Sequence, residues 1–247
     1  MEPIDLAVRL IKESSSLVAL TGAGISTDSG IPDFRSPDGI WNRYPALLGD
    51  YSTFQKHPEK FLELGKELLP VLMSAQPNKG HTALRDLEGM GYIKAVITQN
   101  IDGLHQAAGT QKVIEIHGTY KTATCTRCYR KFSIDEMLSL LRGIPLCPDC
   151  SSIVKPDVVM FGEQLPREAF LEAKKLAEDA DVMIVAGSSL EVYPASHLVL
   201  VTKGNHGRII IINDTKTALD RVADVVIRDN LSVQLPRIVE KCKEERL

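Results

Sequence analysis

The stretch LVALTGAGISTDSG, residues 17–30, decides the fold class, because a continuous apolar run enters a glycine-rich turn without a break. Runs of this kind, without polar alternation, are typical of strands buried on both faces of a parallel sheet. Gly22 and Gly24 permit a tight turn and a close approach of the backbone to a phosphate, at the start of a predicted helix. Thr27 stands where the strict GxGxxG fingerprint has glycine, so an ordinary glycine-rich turn stays an equal alternative.

The same kind of apolar run recurs along the chain. Six further runs predict strands at 93–98, 112–116, 157–161, 181–186, 208–213 and 224–228. Helical spacing of apolar residues predicts helices at 81–91, 166–180, 194–204 and 232–245. We place Pro236 in the first turn of the last helix, where proline is tolerated. Because strands and helices alternate, we expect an α/β protein with a doubly wound, Rossmann-like parallel sheet.

Four of the five cysteines form two pairs, CTRC at 125–128 and CPDC at 147–150. The 18 intervening residues, 129–146, fit the spacing of zinc ribbons. Four thiolates make a closed tetrahedral site without room for a water ligand, so we expect one structural Zn²⁺. The expected ligands are Cys125, Cys128, Cys147 and Cys150. Unligated or redox-active cysteines are the alternative, and Cys242 is expected to be an ordinary thiol of the last helix.

Two segments interrupt the alternation of strands and helices. Residues 31–77 are rich in proline and aromatic residues and predict loops with short helices, whereas residues 119–155 hold the cysteine pairs and little apolar mass. We expect both to form a smaller zinc-binding and helical domain, inserted beside the sheet. The predicted boundaries are 1–34, 78–118 and 156–247 for a discontinuous Rossmann-like domain, 35–77 for the helical insertion and 119–155 for the zinc-ribbon module.

The composition argues against several classes of protein. Among 247 residues, 29 Lys and Arg stand against 32 Asp and Glu, so the net charge of −3 gives no overall basic field for nucleic acid. No apolar run approaches the roughly 18 residues of a membrane span. Residues 1–14 carry acidic side chains and lack the basic region and cleavage site of a secretory signal. We expect a cytoplasmic monomer without membrane or nucleic-acid partners.

Polar side chains follow several of the predicted strands. TQNIDGLH at 98–105 places Asn100 and Asp102 after one strand, and EIHG at 115–118 places His117 after the next. Ligands of open α/β sheets collect beyond the carboxyl ends of the strands, so we expect these residues to share one crevice with the glycine-rich turn. An imidazole there, with an unperturbed pKa near ~6.5, suits a general base. The other histidines are expected to be structural: His57, His81, His105, His197 and His206.

Further loops at the same edge carry groups suited to a nucleotide. GIPDFRS at 30–36 sets Phe34 and Arg35 beside the glycine-rich turn, where a guanidinium can pair with phosphate and a ring can cover a flat ligand. GSS at 187–189 and Asn213 follow later strands and offer hydroxyls and an amide. Taken alone, each loop fits an ordinary surface turn, but their shared position at strand ends favours a binding site.

These motifs occur together, in this order and spacing, in one known family. The chain resembles bacterial and archaeal sirtuins from about residue 5 to 240, through TGAGIS, GIPDFRS, TQNID, HG, the two CxxC pairs, FGE at 161–163, GSSLEVYP at 187–194 and IIN at 211–213. The resemblance implies an NAD-dependent protein-lysine deacetylase that acts on acetylated proteins or peptides. NAD would be a consumed cosubstrate of the Rossmann-like domain, and Zn²⁺ would be structural.

The resemblance also implies roles for individual residues. His117 is the expected catalytic base, and Asn100 and Asp102 act beside it in the nicotinamide pocket. The expected NAD contacts are Gly22, Ala23, Gly24, Thr27, Phe34, Arg35, Gln99, Asn100, Ile101, Asp102, Gly187, Ser188, Ser189, Asn213 and Asn230. The peptide is expected to lie as an added strand between FGE and LEVYP. Its expected contacts are Phe161, Gly162, Glu163, Leu190 and Val192.

In the implied reaction, the acetyl oxygen attacks C1′ of the nicotinamide ribose and expels nicotinamide. His117 then removes a proton through the ribose hydroxyls, so that the 2′-oxygen attacks the imidate carbon. Water completes the reaction, which yields free lysine and O-acetyl-ADP-ribose. Leu62 and Gly65 stand where succinyl-removing members of the family resemble one another in a Tyr-x-x-Arg pair, so we expect neutral acyl groups.

Alternative functions stay open at this point. A hydride-transferring dehydrogenase predicts a complete GxGxxG fingerprint and an acidic ribose ligand, and this sequence offers neither. A mono-ADP-ribosyltransferase or a longer-chain deacylase would use the same site. A nucleic-acid-binding zinc ribbon predicts a strongly basic module, whereas residues 119–155 are only mildly basic.

Overall fold

The computed structural model describes residues 2–140 and 143–244, and its centre is a six-stranded parallel sheet. The strands of the described chain are β1 Leu17–Thr21, β2 Ile93–Thr98, β3 Val113–Glu115, β4 Gly118–Cys125, β5 Lys131–Ser133, β6 Val154–Val158, β7 Val182–Ala186, β8 Arg208–Ile212 and β9 Val225–Ile227. Across the large sheet their order is β3-β2-β1-β7-β8-β9. This order reverses between β1 and β7, which opens a crevice at the carboxyl ends of the strands. The predicted doubly wound sheet is confirmed.

Helices cover both faces of this sheet. The helices of the described residues are α1 Pro3–Glu13, α2 Ile40–Arg43, α3 Tyr51–Lys56, α4 Pro58–Ser74, α5 Lys79–Gly89, α6 Leu104–Ala107, α7 Ile134–Ser139, α8 Arg167–Asp179, α9 His197–Gly204 and α10 Leu231–Glu244. Of these, α1, α5 and α10 cover one face of the sheet, and α8 and α9 cover the other. The helices predicted near 81–91, 166–180, 194–204 and 232–245 are confirmed by α5, α8, α9 and α10. Among the described residues, none of these helices has the length and hydropathy that a bilayer crossing requires.

The sheet separates two apolar layers, and β1 contributes to both. Leu17 and Ala19 pack into the layer formed with α1, α5 and α10, whereas Val18 and Leu20 pack into the layer formed with α8 and α9. Every residue of β1 is buried, as expected for a strand covered on both faces. The continuous apolar run at the start of the opening stretch therefore reports this double burial.

Three expectations about local structure were wrong. Pro236 is the sixth residue of α10, which begins at Leu231, so it lies in the second turn of that helix and not in the first. The segment 31–77 holds more than short helices, since α4 alone has 17 residues. The run 157–161 is not a strand of the large sheet. Its first residues belong to β6, which pairs antiparallel with β4.

The run 157–161 is apolar for a reason other than burial on both faces of a sheet. β4, β5 and β6 form a separate three-stranded antiparallel sheet that carries the cysteine pairs. Beyond Val158 the chain turns along the wall of a large cavity, which Val159 and Met160 line. Phe161 ends the run with 43% of its surface exposed. Apolar side chains that line a cavity look the same in sequence as those of a buried strand.

Candidate active site

A cavity of about 920 Å³ lies at the carboxyl ends of β1, β2 and β7, where the strand order reverses. Loops after these strands form one wall, and residues of α4 and of the small antiparallel sheet form the others. Its volume falls at the upper end of the range of about 300–1,000 Å³ for small-molecule sites. The crevice predicted from the strand ends is therefore present as a single cavity.

Close backbone packing explains the glycines of the turn after β1. A Cβ on Gly22 would lie 2.8 Å from the carbonyl oxygen of Gly187, and one on Gly24 would lie 2.9 Å from the Cα of Gly187. Gly187 itself has φ +69°, which a side chain would strain. The expected helix at this turn was wrong. Two short 3₁₀ turns follow β1 instead, and the second ends at Gly30 with φ 84°.

Ser26 joins the two polar residues that follow β2. Its hydroxyl donates to Oδ2 of Asp102 at 2.7 Å and accepts from Nδ2 of Asn100 at 3.1 Å, and all three side chains are buried. The other Asp102 oxygen, Oδ1, accepts the backbone N–H of Leu104 at 2.9 Å. Ser26 is not among the residues predicted for the site, although it lies inside the TGAGIS motif. The structure thus fixes the carboxylate and the amide through one hydroxyl.

His117 is held in the tautomer that a general base needs. Its Nδ1 lies 3.0 Å from the carbonyl oxygen of Gln99. A carbonyl can only accept, so Nδ1 carries the proton and Nε2 keeps a free lone pair. Burial lowers the pKa of His117, and the bond to Gln99 partly opposes this. The imidazole is consequently neutral at pH 7 and can take up a proton.

Gln99 also ties two strand ends together across the crevice. Its side-chain Nε2 donates to the hydroxyl of Ser188 at 2.9 Å, so the residue after β2 contacts the loop after β7. Ser188 is itself buried, and its hydroxyl accepts the backbone N–H of Leu190 at 3.3 Å. The loops that line the cavity are therefore braced against each other by side chains.

Two histidines lie beneath the site and are structural, as predicted for both. The rings of His81 and His105 are 4.9 Å apart, and Nε2 of His105 lies 2.9 Å from the hydroxyl of Thr21. Burial lowers the pKa of His81 to about 4 and that of His105 to about 3. Both rings are therefore neutral at pH 7, which suits a buried position.

Aromatic rings and one ion pair form the outer part of the cavity. The rings of Phe34 and Trp41 are 5.4 Å apart, and those of Trp41 and Phe161 are 6.1 Å apart. Nε of Arg35 lies 2.9 Å from a carboxylate oxygen of Glu191. The guanidinium thus bridges the loop after the glycine-rich turn and the loop after β7.

Most of the residues singled out in the sequence line this one cavity. They are Gly22, Ala23, Gly24, Phe34, Arg35, Gln99, Asn100, Ile101, Asp102, His117, Phe161, Gly162, Glu163, Gly187, Ser188, Ser189, Val192 and Asn213. Thr27, Leu190 and Asn230 are not among the lining residues. Leu190 is buried in the apolar layer, and Nδ2 of Asn230 donates to Asp28 at 3.1 Å. Any contact of these three with a ligand stays a prediction.

The four paired cysteines converge at one point. Their Sγ atoms all lie within 4.8 Å of one another, with 3.4 Å between Cys125 and Cys150 and 3.6 Å between Cys128 and Cys147. Zn–S bonds of about 2.3 Å in a tetrahedron require sulfur atoms roughly 3.8 Å apart, so the set fits Zn²⁺. Left-handed residues follow each pair, at Tyr129 and Ser151. The predicted zinc ligands are therefore placed for one closed site.

A parallel sheet with a ligand crevice at its order reversal, a neutral histidine there and a cysteine-rich module beside it define a nucleotide-binding α/β class. The sequence pattern of the Sir2 family matches residues 22–194, and the chain belongs to this family. The NAD-dependent protein deacetylase of Sulfolobus acidocaldarius is 44% identical over 242 residues, which span 97% of this chain and 95% of that relative.

Two further comparisons bear on the site. The NAD-dependent protein deacylase of Pyrococcus abyssi is 42% identical over 242 residues, which span 95% of this chain and 96% of that relative. A solved structure of Sir2 with a p53 peptide and NAD⁺ is 42% identical and has a TM-score of 0.92. The match covers 99% of this chain and 100% of that one. Similarity therefore extends over the sheet, the cavity and the cysteine module together.

Proposed function

We propose that the protein is an NAD-dependent protein-lysine deacetylase, which consumes NAD and transfers the acetyl group of acetyl-lysine to ADP-ribose. The observation that carries this proposal is the placement of His117. Its free Nε2 lies in the same cavity as the glycine-rich turn on one side and the FGE and LEVYP loops on the other. A nucleotide and a peptide can therefore both reach one base. The named relatives support the same activity.

The residues present suit NAD. Gly22, Ala23 and Gly24 line the cavity with small residues, so a phosphate can approach their backbone, and Arg35 offers a guanidinium that can bind phosphate. Ser188, Ser189 and Asn213 line the far side, where hydroxyls and an amide can bind a ribose. NAD supplies a ribose C1′ that becomes electrophilic as nicotinamide departs. The chain must orient the nucleotide and exclude water from that carbon.

Asn100 and Asp102 orient the nicotinamide end. Ser26 fixes both of them, so they meet the ligand with little further loss of side-chain freedom. The Asp102 carboxylate faces the cavity, where a nearby negative group stabilises positive charge that develops on the ribose. The Phe34 ring borders the same space and can keep water out.

His117 performs the proton transfer. With Nδ1–H held by the Gln99 carbonyl, Nε2 accepts a proton from the ribose hydroxyls, and this activates the 2′-oxygen toward the acyl carbon. Because burial lowers the pKa of His117, the base stays unprotonated down to a pH below its usual value near 6.5. The imidazole is therefore already unprotonated at pH 7 and can accept a proton directly.

The acetylated peptide lies between FGE and LEVYP. Phe161 contributes its ring but not its backbone, because its N–H donates to Gly49 at 2.8 Å and its carbonyl accepts from Tyr51 at 2.9 Å. Leu190 is buried, so only its backbone can reach the peptide. Val192 and Gly162 both line the cavity. These two loops offer the edges for an added strand.

One observation favours a second activity, the removal of longer neutral acyl groups. The cavity continues between α4 and α7, where its wall includes Leu62, Gly65 and Met137. A Cβ on Gly65 would meet nothing within 4 Å, so the space beside it is open. We expect propionyl and butyryl groups to be accepted, and succinyl to be rejected at least ~100-fold in kcat/KM, because its carboxylate would lack a charged partner.

The zinc site serves the fold in this proposal. Its four thiolates fill a tetrahedral shell, which leaves no position for substrate. The expectation of a cytoplasmic monomer stays a prediction, which light scattering coupled to size-exclusion chromatography can check for the oligomeric state.

Release of nicotinamide tests the proposed function. The wild-type protein should release nicotinamide from NAD only when an acetyl-lysine peptide is present. His117→Ala should lose on the order of 10²-fold or more in deacetylation while it still binds NAD. An active His117→Ala variant with an unchanged pH profile would contradict the assignment of the base.

A further inference from the structure

Lys155 is a largely buried lysine that the reaction does not use. It lies on β6, and only 12% of its side-chain surface is exposed. Its ammonium donates to the carbonyl oxygens of Pro156 at 3.2 Å and Val158 at 2.7 Å, and to Glu163 at 3.0 Å. An ammonium has three donors, so these acceptors engage all of them.

The third acceptor belongs to the turn that carries the FGE motif. Oε2 of Glu163 also accepts the backbone N–H of Met160 at 2.8 Å, and the N–H of Glu163 donates to the Met160 carbonyl at 3.0 Å. Gly162 lies between them with φ +86°. Two reciprocal hydrogen bonds thus close the turn 160–163, and Lys155 holds the carboxylate that makes one of them.

The strand that carries Lys155, β6, pairs with the zinc module, and the residue after it contacts the catalytic base. The N–H of Val159 donates to the carbonyl oxygen of His117 at 2.9 Å. At the other end of β6, Val154 pairs with Cys125 and Lys155 pairs with Thr124. The segment from Val154 to Val159 therefore connects a zinc ligand with the catalytic base, and Lys155 lies within it.

Both members of this ion pair are largely shielded from solvent, so loss of either one should disturb the turn. Glu163 has 20% of its side-chain surface exposed, so water can replace the lost partner only in part. Removing one member of a buried pair leaves the other charge uncompensated, and its surroundings rearrange. Without the ammonium, Glu163 is free to turn toward solvent, and the N–H of Met160 then loses its acceptor.

We propose that Lys155 is a positioning residue that fixes the turn 160–163 for peptide binding. The inference rests on the proposed function, in which the peptide lies beside this turn. It predicts a defect specific to the peptide, because the nucleotide side of the cavity is built by the loops after β1, β2 and β7, which Lys155 does not touch.

The test compares Lys155→Met with Lys155→Arg and with Lys131→Met as the matched control. Lys131 lies on β5 of the same small sheet and is exposed. For Lys155→Met we expect the KM for an acetyl-lysine peptide to rise roughly 10-fold or more, with the KM for NAD and the zinc content unchanged. Arginine at 155 should restore much of the peptide affinity, and Lys131→Met should match the wild type.

Direct binding of a fluorescein-labelled acetyl-lysine peptide, measured by anisotropy, gives a readout without turnover. A folded, zinc-loaded Lys155→Met variant with wild-type peptide affinity would overturn the inference. Equal losses in peptide and NAD binding would also overturn it, because they indicate a general structural role. If Lys155→Met does not fold, Lys155→Gln decides, because its amide can still donate to the carbonyl oxygens but carries no charge for Glu163: weaker peptide binding with unchanged NAD binding supports the inference, and unchanged peptide binding refutes it. An inactive wild-type protein would instead refute the proposed function.

Discussion

The large parallel sheet and the zinc module are stabilised in different ways. Two apolar layers cover the sheet, and each combines buried side chains from five strands with those of the helices on its face. The described residues of the zinc module bury a far smaller cluster: Ala123, Cys125, Phe132, Met137, Cys147 and Val154. Two members of this cluster are expected zinc ligands. The sheet is held by burial, whereas we expect the module to depend on the Zn²⁺ that its four cysteines can bind.

Loss of a zinc ligand is the change with the largest expected effect. Cys147→Ser should release the metal and unfold the module, because zinc binding contributes about 10–16 kcal/mol in comparable small domains. Deacetylation should fall to background, since β6 joins the module to the turn that faces the peptide. Zinc content, circular dichroism and activity would be measured together, with Cys242→Ser as the control outside the site. A metal-free, fully active Cys147→Ser protein would show that the zinc module does not depend on its metal.

A cavity in the sheet should weaken the other region without touching the metal. Ile184 is fully buried in β7, so Ile184→Ala should lower the free energy of unfolding by about 2–5 kcal/mol. Zinc content should stay at one ion per chain. The matched control is Leu171→Ala on α8, which is 54% exposed and should change stability by less than about 0.5 kcal/mol. Loss of zinc in the Ile184 variant would show that the two regions unfold as one unit.

Acid should destabilise the sheet region through its buried histidines. The folded pKa values of His81 and His105, about 4 and about 3, lie below the unfolded value of 6.5. Between these values the unfolded chain binds more protons than the folded chain. Stability should therefore be complete above pH 6.5 and fall as the pH drops toward 4, by up to about 1.4 kcal/mol per pH unit for each histidine.

Urea unfolding between pH 7 and pH 4.5, with zinc release followed by a metal-sensitive dye, measures this slope. His105→Gln should make the slope shallower, because that side chain does not titrate. An identical slope in the variant and the wild type would show that His105 does not contribute to the acid sensitivity.

The smallest expected effect is that of removing the Ser26 hydroxyl, which holds Asp102 and Asn100. Ser26→Ala removes a donor to Asp102 and an acceptor for Asn100, both of which are buried. An unsatisfied buried group costs about 1–3 kcal/mol, so kcat/KM should fall about 10- to 100-fold. Ser139→Ala, at an exposed position of the zinc module, is the control and should leave kcat/KM unchanged. A Ser26→Ala enzyme with wild-type kcat/KM would show that the Ser26 hydroxyl does not contribute to catalysis.

The sequence predicted the sheet well because double burial leaves a direct mark. A strand such as β1, covered on both faces, is apolar at nearly every position, and its boundaries could be read from the run itself. β6 has no such mark, because the apolar residues beyond Val158 line a cavity. The spacing of the cysteine pairs was equally direct, since two short loops with a fixed separation meet one ion.

The candidate site was less completely predictable. His117 and Asp102 could be named from their position after strands, because parallel strands share one carboxyl edge. The role of Ser26 depends on a contact with a residue 76 positions away, which no local pattern reports. The Lys155–Glu163 pair is hidden for the same reason, since it depends on the path of the chain after β6. Contacts between residues far apart in sequence can be identified only from the three-dimensional structure.

The identity of the reaction products tests the central claim most directly. The wild-type protein would be incubated with an acetyl-lysine peptide, with and without NAD, and the products analysed by mass spectrometry. We expect equal amounts of deacetylated peptide, nicotinamide and O-acetyl-ADP-ribose, and no reaction without NAD. A peptide that keeps its acetyl group and gains ADP-ribose would indicate a mono-ADP-ribosyltransferase and contradict the account, as would deacetylation that does not consume NAD.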